Sequence, residues 1–164
     1  MSSSHQFKIS LVGGAQCGKT CFIKQHHHED FKNTYVATLG VEVYTILFKT
    51  SKGDVSLEVW DVAGHAKLRS CPQGYHAKSD GAIIMHDLHT SSDKIVENNL
   101  KYRLELLATR PSIEIVTIGN KCDLSYDTCD GVDHVISTKL NQNCHEPFLY
   151  LIRNLVKDQT LTFV

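Results

Sequence analysis

No apolar run in this sequence approaches the ~20 residues that a membrane-spanning helix needs. Basic residues are not in excess. Seventeen lysines and arginines against eighteen acidic residues give a net charge of −1, so neither nucleic acid nor an anionic membrane is indicated as the main partner. The six cysteines (17, 21, 71, 122, 129 and 144) include no C-x-x-C pair. The opening Met-Ser-Ser-Ser-His-Gln has neither the basic region nor the apolar stretch of a signal peptide. The cysteines are therefore expected as reduced thiols of an intracellular protein, not as a disulfide set. No cysteine stands near the C-terminus for prenylation, and Ser2 sits where myristoylation needs glycine.

What is present is an ordinary globular composition. Hydrophobic residues at 41% and charged residues at 21% argue against disorder, and 164 residues suit one domain with a substantial core. The whole chain, residues 1–164, is read as that domain. His26, His27 and His28 point three ways from a helix and make a poor metal site, so they are expected as a solvated helix end.

The stretch Phe-Lys-Ile-Ser-Leu-Val at residues 7–12 is a short apolar strand. Gly13, Gly14, Ala15, Gln16, Cys17, Gly18, Lys19 and Thr20 then fit Gly-x4-Gly-Lys-Ser/Thr, and Cys21 follows in an opening helix. Strand, glycine loop and helix together form a phosphate cradle. Backbone N–H groups face phosphate oxygens, Lys19 reaches the outer phosphates and the Thr20 hydroxyl holds Mg2+.

Residues 29–39 are mixed and polar and are expected as a loop. Residues 41–48 and 55–61 are β-rich runs around a turn, which predicts a hairpin. Residues 62–79 are expected as a loop with one weak helical segment. Residues 82–85 and 115–118 read as buried parallel strands. Between them Ile95, Leu100, Leu104 and Leu107 approximate a helical stripe that ends before Pro111. Pro147, with Phe148, Leu151, Ile152 and Leu155, predicts a closing helix. Strands alternating with helices imply an α/β doubly wound sheet, with ligand at the C-terminal strand ends.

Further chemical residues fall at those ends. Asp61 closes a hairpin strand and can hold Mg2+ through water, and Gly64 can bring its N–H to a γ-phosphate. Thr38, in the polar loop, can complete Mg2+ coordination only while a γ-phosphate is present, which makes that loop a switch. Asn120-Lys121-Cys122-Asp123 follows a buried strand. The Asp123 carboxylate can accept from the ring N–H and exocyclic amine of guanine, a donor pair that adenine lacks. The Lys121 stem can cover the base, and Asn120 can brace the loops.

In this order the motifs resemble the small GTPases, and within them the Ran family of nuclear transport. The likeness includes residues 35–43, from Tyr35 to Val43, residues 60–64, 81–85 and 147–149, and the closing Leu161-Thr162-Phe163-Val164. The resemblance implies a P-loop fold with a mostly parallel six-stranded sheet, one antiparallel hairpin edge and helices on both faces. It implies GTP/GDP and Mg2+ as ligands, with Phe31 near the guanine, Tyr35 in the first switch and Ser137, Thr138 and Lys139 as the last base-contacting loop. It also implies partners: importin- and exportin-type transport receptors, an exchange factor and a GTPase-activating protein, met by a monomer in nucleus and cytoplasm.

Four departures modify these expectations. His65 stands where the family has the glutamine that orients attacking water, so hydrolysis with Lys19 and His65 as catalytic groups is expected to be weak. Ala15 and Gln16 replace loop glycines and crowd the γ-phosphate. Only residues 124–133 remain for the crossover after Asp123, so the helix there is expected to be lost or reduced to one turn. The chain stops where the family continues into an acidic tail. An alternative expectation is a non-hydrolysing module that binds GTP and its partners in one fixed state. A third is a decaying duplicate that barely folds.

Overall fold

The first strand, His5–Gly13 (β1), has its last five residues buried on both faces and pairs in parallel on both sides. The computed structural model describes residues 4–26, 33–36, 40–63, 72–124, 126 and 130–164. Helix α1 (Lys19–Lys24) follows β1, then β2 (Asn33–Val36), β3 (Val41–Thr50) and β4 (Gly53–Val62). Helix α2 (Pro72–His76), β5 (Gly81–Asp87), α3 (Ser92–Thr109), β6 (Glu114–Asn120), β7 (His134–Val135) and α4 (Glu146–Val156) complete the order.

The sheet runs β2-β3-β4-β1-β5-β6-β7, antiparallel at β2-β3 and β3-β4 and parallel elsewhere. The six strands expected from the sequence are β1 and β3 to β7. The seventh, β2, is a correction. Its Asn-Thr-Tyr-Val lies in the stretch read as loop, yet it pairs with residues 41–44 of β3. Four residues are too few to show a period, so pairing with the hairpin edge decides the matter. The hairpin strands also run further than expected, meeting at Thr50 and Gly53 across a two-residue turn.

The sheet separates two cores. On one face Phe22 and Ile23 of α1 and Phe148, Leu151 and Ile152 of α4 pack against Ile9, Leu11, Leu57 and Ile83. On the other, Tyr75 of α2 and Tyr102 and Leu106 of α3 pack against Val12, Val62, Ala82 and Ile84. Helices thus cover both faces. A buried polar chain fastens α2: Ser10 and Ser79 share a 2.7 Å hydrogen bond, and His76 Nδ1 lies 3.1 Å from the Ser10 hydroxyl.

Two sequence expectations fail inside these layers. On α3 the buried residues are Ile95, Tyr102 and Leu106, while Leu100, Leu104 and Leu107 are exposed. The helix is apolar on two faces, so the leucines did not mark the inner one. His26 is buried, not solvated. Its ring meets Phe22, His145 and Phe148 edge-on, and its Nδ1 lies 3.1 Å from the Phe22 carbonyl. His27 and His28 lie outside the described residues.

Between Asp123 and β7 no helix occurs among the described residues, which show turns at 122–123 and 130–131. A polar latch takes its place beside β6. Asp133 accepts from the Thr117 N–H at 2.8 Å and returns its own N–H to the Thr117 carbonyl at 2.8 Å. Arg103 and Asn99 of α3 reach the Thr117 hydroxyl and the Gly131 carbonyl. This satisfies the Thr117 backbone groups on the edge of β6, which the two-residue β7 does not reach.

His86 near the end of β5 is buried, its Nε2 has no partner among the described residues, and burial pushes its imidazole down to about 4. The unfolded imidazole titrates near ~6.5, so between the two values the unfolded chain binds the extra proton. Stability should therefore fall as pH drops from ~6.5 through ~4, by about 3 kcal/mol in all. Urea midpoints at pH 7 and pH 5 should converge in His86→Phe, while the parent loses stability at pH 5.

Candidate nucleotide-binding site

The loop leaving β1 is shaped by two glycines that have no room for a side chain. A Cβ on Gly13 would stand 2.3 Å from the Met85 carbonyl oxygen. Gly18, at φ 102°, would place a Cβ 2.4 Å from Asn120 Nδ2. Between them Gln16 has φ 62°, a left-handed conformation that costs a non-glycine residue about 1 kcal/mol. Ala15 and Gln16 are exposed, and Cys17 is buried. The Gly18 and Thr20 amides, at the start of α1, have no acceptor among the described residues, and the Lys19 amide points at the Cys17 sulfur. Lys19 is buried, and its ammonium donates to the Gly13 and Gly14 carbonyls at 3.1 and 2.9 Å.

At the end of β4, Asp61 is 8% exposed and accepts from the Thr20 hydroxyl at 2.6 Å. Burial pushes its carboxyl above the usual range, while Thr20's hydrogen bond and Lys19's charge pull it back. A desolvated carboxylate beside a hydroxyl is a hard-oxygen pair suited to Mg2+, which takes few protein ligands and fills its shell with phosphate oxygens and water. Among the described residues no group of three or more His, Cys, Asp or Glu gathers for a metal. Thr20 and Asp61 therefore fit Mg2+ shared with a phosphate.

The loops after β6 and β7 converge on the same edge. Asn120 donates through Nδ2 to the Cys17 carbonyl at 2.9 Å. Its Oδ1 accepts from the N–H and hydroxyl of Thr138 at 3.0 and 2.9 Å. Lys121, at φ 71°, donates to the Gln16 carbonyl at 2.9 Å and to Asp87 at 2.6 Å. Asp123 accepts from the Ser137 hydroxyl at 2.5 Å, and this bond foremost holds its carboxyl below the usual range. Asp123 is thus an ionised acceptor at neutral pH. Lys139 is exposed beside it.

The structure thus brings together residues 13–21, Asp61, Asn120, Lys121, Asp123 and residues 137–139. Cys21 is exposed on α1. Tyr35 lies in β2 with its backbone paired to Glu42. Phe31, Thr38, Gly64 and His65 lie outside the described residues. Sequence reasoning missed two members. Asp87 grips Lys121, and Gln25 donates to the Thr138 carbonyl at 2.8 Å. Asp87 had a usable signal, since like Asp61 it ends a strand facing the glycine loop. Gln25 had none.

A family model described as the Ras family matches residues 8–157. The chain belongs to the Ras family of small GTPases. The matched span takes in the glycine loop, Asp61 and both base-side loops. Members of this family are GTP-binding switches that take guanine nucleotide with Mg2+.

Gly18 offers a sharp check of how these loops depend on one another. In Gly18→Ala both the positive φ and the Asn120 contact are violated. Stability should fall by at least about 1 kcal/mol in urea unfolding, with loss of nucleotide binding in a fluorescence titration.

Proposed function

We propose that this small GTPase is a Ran-type switch acting in nucleocytoplasmic transport of protein. GTP or GDP with Mg2+ occupies the edge just described. Residues 13–21 cradle the phosphates, Lys19 reaches the outer ones, and Thr20, Thr38 and Asp61 serve Mg2+. Asp123 reads guanine, Lys121 covers it, and Phe31 with Ser137, Thr138 and Lys139 closes around it. Tyr35 and Thr38 in the first switch and Gly64 in the second respond to the γ-phosphate. Transport receptors of importin and exportin type, an exchange factor and an activating protein read the loaded state, in nucleus and cytoplasm.

The observation that supports nucleotide binding most directly is the Asn120 carboxamide, which fixes the glycine loop against the loop that orients Asp123. Support for the Ran branch is the sequence likeness at residues 35–43 and 60–64. Hydrolysis is weak in this reading, because His65 replaces the water-orienting glutamine and Ala15 crowds the γ-phosphate.

A second reading, a GTP-binding module that does not hydrolyse and meets partners in one state, draws support from Lys19. Its ammonium is held by the loop's own carbonyls.

Denaturing the purified protein should release GTP or GDP, and Asp123→Asn should weaken guanine-nucleotide affinity at least ~100-fold by calorimetry. Release of no guanine nucleotide, with unchanged affinity in the variant, would reject the binding site. Single-turnover hydrolysis separates the two readings. His65→Gln should accelerate a slow wild type at least ~10-fold, whereas wild-type turnover already as fast as the variant removes the module.

A further inference from the structure

The loop on the base side, residues 137–140, has nearly all its backbone donors committed. The Ser137 N–H donates to the Gln142 carbonyl at 3.1 Å. The Thr138 N–H donates to Asn120 Oδ1 at 3.0 Å, and the Leu140 N–H to the Ser137 hydroxyl at 3.1 Å. In this loop the Lys139 N–H alone has no acceptor among the described residues. Its direction follows from the peptide that carries it. A trans peptide sets its C=O and N–H on opposite sides, and the Thr138 carbonyl is held toward α1.

Gln25, the residue that caps α1, holds that carbonyl. Its backbone is still helical, at φ −65° and ψ −25°, and its N–H bonds the Cys21 carbonyl at 3.2 Å. Its Nε2 donates to the Thr138 carbonyl at 2.8 Å, across 113 residues of sequence. The Asn141 N–H is a second donor to the same carbonyl, longer at 3.3 Å. Phe22 and Ile23 pack α1 into the core, so the anchor stands on a fixed element. Asn120 holds the N–H and hydroxyl of Thr138 from the end of β6. Thr138 is thus buried and fastened through all of its polar groups, and the peptide that follows it is held in one orientation.

We propose that Gln25 is a positioning residue for guanine: by holding the Thr138 carbonyl on α1, it presents the Lys139 N–H to the 6-oxo oxygen of the base. This rests on the reading of the site as a guanine-nucleotide pocket, in which Asp123 takes the base's N–H donors. The two contacts read different atoms. Guanine carries an acceptor at its 6-position where adenine carries an amino donor, so a fixed N–H there selects between them. The donor serves only while its peptide stays put. A peptide free to turn would offer the Thr138 carbonyl instead, and an acceptor facing an acceptor is repelled. Gln25 acts through Thr138 and not on the nucleotide itself.

The test is displacement of a fluorescent GDP analogue from the full chain, with Mg2+ present, by GDP and by 6-thio-GDP. The thio compound keeps the N–H donors that face Asp123 and replaces the 6-oxo oxygen with a weakly accepting sulfur. Gln25→Met, similar in length but without the donor, should weaken GDP ~3–10-fold, the worth of one hydrogen bond, and 6-thio-GDP less than ~2-fold. Gln25→Glu sets an acceptor against the Thr138 carbonyl, so it should weaken GDP further and again spare 6-thio-GDP. Both variants should keep the wild-type circular dichroism, since Gln25 is exposed. The difference between the two nucleotides is a coupling that a merely structural role does not produce. Equal losses for both nucleotides, or no loss for either, overturn the proposal. Asp123→Asn tests the pocket separately and should weaken both nucleotides alike. Unchanged GDP binding in that variant removes the guanine reading, and the role of Gln25 with it.

Discussion

The Asn120 carboxamide is where the loops of this protein meet. It is 2% exposed, and its amide and carbonyl ends are both used, one on the glycine loop and one on the loop after β7. Removing it would strand the Cys17 carbonyl and the Thr138 N–H, at ~1–3 kcal/mol for each buried group left unpaired. Gly18 is small because this carboxamide passes 2.4 Å from where its Cβ would be. Lys121, the next residue, takes a left-handed conformation and reaches the Gln16 carbonyl. One side chain therefore sets the spacing between the parts expected to hold phosphate and base. A rigid scaffold positions these loops, since β1, β5 and β6 are central parallel strands whose ends cannot move independently.

The same chain shows how a shortened crossover is tolerated. β7 pairs only with Ile118 and Gly119, so the Thr117 backbone groups on that edge of β6 need other partners. Asp133, Thr117, Arg103, Asn99 and Gly131 supply them as a hydrogen-bonded latch. The latch is polar, and it cannot replace the apolar cover a helix would give. Satisfying hydrogen bonds and covering apolar area are separate requirements, and among the described residues the latch meets only the first. The exposed leucines of α3 are the residue of the second.

Which features were legible in the sequence follows the range of the forces behind them. The glycine loop, the strand before it and Asn120 to Asp123 are local patterns, where few residue types suit the backbone or the chemistry. The central strands were legible because burial on both faces leaves a continuous apolar run. What failed was decided by partners distant in sequence. β2 exists because β3 offers an edge, and His26 is buried because Phe148 and His145 arrive from the far end of the chain. The inner face of α3 was misjudged because six apolar side chains on two faces give no single phase. Tyr102, amphipathic and easily read as surface, is on the buried side.

The position of Lys19 bears on how such a loop receives a phosphate. Its ammonium already has two acceptors, the Gly13 and Gly14 carbonyls, and sits near the Cys17 sulfur. An incoming phosphate must draw it from neutral carbonyls to charged oxygens. The exchange is favourable because a bond between two ions is roughly twice as strong as one to a neutral group. The carbonyls it leaves are not both solvated, since Gly13 is buried against β5. The gain is therefore a difference between two occupied states and not the full strength of a new ion pair. Thr20 and Asp61 stand in the same relation, because their mutual hydrogen bond would have to open for the pair to serve Mg2+, Thr20 through its hydroxyl and Asp61 through water. The raised carboxyl of Asp61 favours that exchange, since a divalent cation relieves the desolvation that the Thr20 hydroxyl only partly offsets. Phosphate and metal arriving together would resolve both substitutions at once, which would couple nucleotide and Mg2+ affinity through two side chains adjacent in sequence.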